Sequence, residues 1–110
     1  MTAQELFDKV ATHLIIQGKQ SLSHDGFCKY RGAGGLKCAI GVLIPDDKYK
    51  TWMDYDPTTG LRCVLVDIGL SEHYRLCGRL QNIHDSDIGA DVWICRLQNL
   101  AKEFGLEFNQ

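Results

Sequence analysis

The stretch Phe27-Cys28-Lys29-Tyr30-Arg31-Gly32-Ala33-Gly34-Gly35-Leu36-Lys37-Cys38-Ala39-Ile40-Gly41-Val42-Leu43-Ile44-Pro45-Asp46-Asp47 decides how the chain is read. Gly32, Gly34 and Gly35 separate two short runs that each carry a cysteine, and the second run continues into apolar residues that stop at Pro45. This pattern predicts a β-hairpin with strands over Phe27–Arg31 and Leu36–Ala39, turning where glycine tolerates φ > 0. Ala39–Ile44 reads equally well as a buried helical turn.

Outward from that segment, helical signals dominate. Thr2 and Glu5 have the spacing of a capping box, and Leu6, Phe7, Val10, Leu14 and Ile15 recur at helical intervals up to Gly18. Lys19–Gly26 is polar and predicts a loop. Asp46–Pro57 has no clean period and predicts an irregular or short helical segment. Thr58 or Thr59 is expected to cap a helix carrying Leu61, Val64, Leu65 and Ile68, closed by Gly69. Ser71 is expected to cap the next, which buries Leu76, Cys77, Leu80 and Ile83 and runs to His84. After a polar break over Asp85–Gly89, Trp93, Leu97, Leu100, Ala101 and Phe104 mark a last helix ending at Gly105. The expected fold class is α+β and mainly α-helical, with about four helices on one hairpin in a single domain over residues 1–110, a length that supports one core.

Fourteen acidic residues against twelve basic ones leave a formal charge of −2. That balance gives no general pull toward extended nucleic acid or an anionic membrane, so anion binding has to be local. No stretch approaches the roughly 20 apolar residues of a membrane span, and the N-terminus lacks the basic-then-apolar order of a signal peptide. The expected location is the cytosol. Cys28, Cys38, Cys63, Cys77 and Cys95 form an odd set, which in a reducing compartment reads as small apolar side chains.

Several constellations offer chemistry. In the first, the amides of Gly34 and Gly35 form an anion nest, Arg31 and Lys37 supply charge, and Tyr30 stacks on a ring. An ordinary glycine-rich turn explains the same residues. The spacing fits neither a phosphate loop nor a dinucleotide fingerprint. A second reading makes Cys38 a nucleophile at a helix start, with His84 as base and Asp85 as its orienting acid; the plain alternative is a core cysteine and a histidine that finishes a helix. A third gathers His24, Cys28, Cys38 and His84 around zinc, although three and nine intervening residues are not the close ligand pairs zinc favours. A fourth sees Trp52 and Tyr55 as anchors of a protein-binding patch rimmed by Asp46, Asp47, Asp54 and Asp56, against a lid that merely covers the core. No motif calls for a cofactor. A symmetric pair building a pocket at its shared surface stays open.

The run Cys28, Tyr30, Arg31, Gly32, Gly35, Leu36, Cys38, Ala39, Gly41, Leu43, Ile44, Pro45, Asp46 resembles an uncharacterised family of small bacteriophage and prophage proteins. Leu80, Gln81, Ile83, His84, Asp85 and then Trp93, Leu97, Leu100, Ala101 extend the similarity over most of the chain. The resemblance implies a setting, a small accessory protein made in the bacterial host cytosol during infection or lysogeny. It carries no activity with it. The resulting expectation is a noncatalytic protein that blocks a host factor or sequesters a small anionic, nucleotide-like ligand, an anti-defence role; the rivals are a cysteine-dependent enzyme and a zinc-stabilised module.

Overall fold

A computed structural model describes residues 1–56, 58–86 and 88–110. Helix α1 (Ala3–Gln17) starts where the capping box predicts. The Thr2 hydroxyl accepts from the Glu5 amide at 3.1 Å, and the Glu5 carboxylate accepts from the Thr2 amide at 2.9 Å. Gly18 ends it in the left-handed conformation, φ +67°, donating its amide to the Leu14 carbonyl. Short helices α2 (Trp52–Tyr55) and α3 (Leu61–Asp67) precede the long α4 (Tyr74–Asp85) and α5 (Ala90–Glu103).

Helices α1, α4 and α5 pack on one another, α3 lies on α4, and α1 also covers a 3-10 turn at Gly41–Leu43. The stripes that predicted the helices supply the core: Leu6, Phe7, Val10 and Leu14 from α1, Leu76, Cys77 and Leu80 from α4, and Trp93, Leu97 and Leu100 from α5. Each large apolar side chain so buried contributes about 1.5–3 kcal/mol of transfer free energy. After α5 the chain returns along α1, where the backbone of Glu107 exchanges two hydrogen bonds with the Gln4 carboxamide. No helix among the described residues is long and apolar enough to cross a membrane.

The expected hairpin does not form among the described residues. Among the described residues there is no β-strand, so the fold is mainly α-helical rather than α+β. Phe27–Arg31 and Leu36–Ala39 keep only isolated antiparallel bridges, Leu22 with Cys28 and Arg31 with Lys37. The reason lies in where the amides go. A strand needs a ladder of backbone partners, but Tyr30 and Arg31 donate their amides to the Asp54 carboxylate, and Lys37 donates to the Gln17 side chain. Ala39–Ile44 takes the alternative of a buried helical turn, with a 3-10 turn at Gly41–Leu43 and Cys38, Ala39 and Ile40 wholly enclosed.

Two caps also differ. Ser71 opens a 3-10 turn, Ser71–His73, and its side chain caps nothing. Gly60 precedes α3 in place of Thr58 or Thr59, because Thr58 turns back to the Asp56 carboxylate. Of the segments read as irregular, Pro57 and Asp87 lie outside the described residues.

Candidate functional site

The loop from Gln20 to Lys37 is bolted down by side chains. Ser21 and His84 are the fully buried polar residues of the described chain, and they meet: the Ser21 amide donates to His84 Nε2 at 2.8 Å. An amide can only donate, so Nε2 accepts and the ring proton sits on Nδ1. Nδ1 then donates to Asp85 Oδ1 at 2.8 Å, which also accepts from the Gln81 carboxamide. Ser21 spends its remaining groups inward, its hydroxyl on the Leu36 carbonyl and its carbonyl on the Lys29 amide. Glycine permits the close crossings. A Cβ on Gly32 would collide with Ser21 and Leu22, and one on Gly41 with the Tyr30 carbonyl.

Asp54 is the second bolt. Its Oδ1 accepts from the Tyr30 amide at 2.7 Å, and its Oδ2 accepts from the Arg31 amide at 3.1 Å and the Tyr49 hydroxyl at 2.6 Å. Burial, then this carboxylate, hold the Tyr49 phenol above its ordinary range, and burial does the same for Tyr30. The Arg31 guanidinium bonds Asp46 and the Ile44 carbonyl and lies over the Tyr49 ring. Lys37 Nζ also approaches Asp46, at 3.6 Å, and the two cations hold that carboxyl below its usual range, led by the hydrogen bond from Arg31. The cations flanking the turn are thus spent on an internal acid. The amides of Gly32 and Ala33 go to the Leu36 and Leu22 carbonyls, while Gly34 and Gly35 stand exposed at the corner with φ +72° and +78°.

Between the bolted loop, the end of α4 and the segment after α2 lies a cleft of about 310 Å³, lined by Cys28, Tyr30, Asp54, Asp56, Thr59 and Asp85 with Met53 and Gln81. Three carboxylates face it. Among the described residues none of the three is ion-paired to a lysine or arginine. Tyr55 and Phe27, each 64 % exposed, adjoin the cleft residues Asp54, Asp56 and Cys28 in the chain, and Lys29 Nζ sits 4.7 Å from the centre of the Tyr55 ring. Trp52, expected beside Tyr55 in the same patch, is half-buried against the core.

The residues of the enzyme reading are arranged against catalysis. Cys38 is fully enclosed, and burial pushes its thiol up to about 12 even though the Gly41 amide donates to its sulfur. His84 has neither nitrogen free to act as base. The metal reading also changes partners: the structure gathers Cys28, His84 and Asp85, with ligand atoms within 4.8 Å of one another, rather than His24 and Cys38. A cation on His84 Nδ1 would drive the proton to Nε2, against the Ser21 amide. The donor set therefore does not fit a metal. Cys28 is no activated thiol either, since desolvation and the adjacent Asp85 carboxylate raise it to about 11.

Comparison of the chain with family models, curated proteins and solved structures returns no match. Of the cleft residues, Cys28, Tyr30, Asp85 and the acidic rim of Asp54 and Asp56 stood out in the sequence. Gln81 and Thr59 were read only as part of the family resemblance and as a candidate helix cap, and Ser21, which holds the loop rather than lining the cleft, only as part of a polar loop, because a polar residue in a polar stretch carries no mark of what it will touch.

Proposed function

We propose that this chain is a noncatalytic binding protein of phage type that engages and blocks a host protein through the Cys28/Asp54/Asp85 cleft and the aromatics beside it. The observation that carries the reading is the cleft itself, lined by Asp54, Asp56 and Asp85, none of them paired to a lysine or arginine among the described residues, with the exposed Tyr55 and Phe27 directly adjoining cleft residues in the chain. Such a site suits a basic side chain of the partner. The carboxylates supply charge and the rings supply apolar area, and aromatic anchors of this kind dominate binding energy at protein interfaces. The setting, infection or lysogeny, comes from the resemblance of the Cys28–Asp46 run.

Affinity capture from bacterial lysate tests the reading, with tagged wild type, Tyr55→Ala and Asp56→Asn compared after circular dichroism shows all three folded. The expected result is a host protein retained by wild type and reduced about tenfold or more by Tyr55→Ala, consistent with loss of one interface hot spot. Capture that is identical for all three proteins, or no captured protein at all, refutes it.

A further inference from the structure

A second groove, of about 420 Å³, runs between α4 and α5 on a face separate from the cleft above. Arg79 and Asn82 line one wall, Arg96 and Asn99 the other, over a floor of Ile83 and Leu100. The spacing follows from the helices: residues 75, 79 and 82 on α4 and 96, 99 and 103 on α5 fall on single faces. A shallower cleft of about 260 Å³, bounded by Tyr74 and Arg75, shares Arg79 and Asn82 with it and so extends the strip along α4. Of the five arginines in the sequence, Arg31, Arg62, Arg75, Arg79 and Arg96, four lie on α3, α4 and α5, and three line these joined clefts. That concentration arises in a chain whose net charge is −2.

The two guanidinium groups at the centre differ in state. Arg79 is ion-paired with Glu103, whereas Arg96, among the described residues, has no ion pair and no side-chain hydrogen bond. A planar fork of donors is the group that binds phosphate oxygens in pairs. The carboxamides of Asn82 and Asn99 add paired donors and acceptors suited to a sugar or a base edge. The volume is that of a small-ligand site.

We infer that the α4–α5 groove binds the phosphate of a nucleotide-type ligand, with Arg96 and Arg79 as its anion contacts and Glu103 as a built-in competitor that releases Arg79 when the ligand arrives. This site is independent of the protein-binding cleft. It also gives the nucleotide-like ligand anticipated from the sequence a different location from the Arg31–Lys37 turn.

Isothermal titration at low salt with inorganic pyrophosphate, ATP, a short oligothymidylate and a triglutamate peptide tests the assignment on wild type, Arg96→Ala, Arg79→Lys, Glu103→Gln and, as a distant control, Lys9→Ala. ATP binding is expected to weaken about tenfold or more in Arg96→Ala, consistent with loss of a charge-assisted contact. It should weaken less in Arg79→Lys, tighten severalfold in Glu103→Gln and stay unchanged in Lys9→Ala. An oligothymidylate that outcompetes ATP identifies a strand as the source of the phosphate, and the reverse identifies a free nucleotide; either supports the site. No binding of pyrophosphate or ATP to wild type, equal binding by Arg96→Ala, or triglutamate binding as tightly as ATP overturns it.

Discussion

Asp54 shows how one residue can decide a local structure. A single carboxylate takes two consecutive backbone amides and a phenol, so it does for Tyr30 and Arg31 what a neighbouring strand would otherwise do. Removing it leaves these partly buried donors without an acceptor, a cost of about 2–4 kcal/mol given the usual penalty for orphaned groups beside a lost charged acceptor. Urea unfolding of Asp54→Ala should show a loss of that size, while Asp47→Ala, exposed at the surface, should fall within about 0.5 kcal/mol of wild type. Equal effects would mean that the loop is held by other contacts. His84 and Ser21 make the same point from inside the core: a histidine followed by an aspartate looks like a catalytic pair in sequence, but the Ser21 amide fixes the ring as a structural acceptor.

At the scale of elements, the helices were readable because their information is local. Thr2 and Glu5 meet within one turn, and the apolar stripes of α1, α4 and α5 repeat at the period of the helix they form. Thr2→Ala should therefore cost about 1 kcal/mol in urea unfolding, as loss of an N-cap usually does. Ser71→Ala should cost little, since Ser71 caps no helix; a large loss there would contradict the 3-10 start. The region from Phe27 to Ile44 was not readable in the same way. Its glycines suggested a turn, yet Gly32 and Gly41 are needed where two chain segments cross, and the acceptors for Tyr30, Arg31 and Lys37 come from Asp54 and Gln17, far along the sequence. The α4–α5 groove was likewise hidden: Arg79 and Arg96 sit on different helices, and only packing brings them to one groove.

The molecule as a whole surrounds several thiols and phenols with neighbours that favour their neutral forms. The thiols of Cys28 and Cys77 are raised from an ordinary value of 9.0 to about 11 and that of Cys38 to about 12, in each case chiefly by burial, and Tyr30 and Tyr49 are raised as well. Folded states with such groups hold their protons after the unfolded chain has released them. Stability from this source is complete below the unfolded thiol value near 9 and is lost as pH rises through the folded values. Thermal midpoints should be flat from pH 7 to 8 and fall progressively above about 9; a midpoint that rises over that alkaline range would contradict the burial of these groups.

The residues resembling a catalytic set hold the loop in place and leave the clefts free to bind. Alkylation of all five cysteines, followed site by site by mass spectrometry on the native protein at neutral pH, tests that role most directly. Exposed Cys63 and Cys95 should be modified first, Cys28 slowly, and Cys38 and Cys77 only as the protein unfolds. Modification of Cys38 or Cys28 ahead of Cys63 and Cys95 would reveal an activated nucleophile and contradict that structural role.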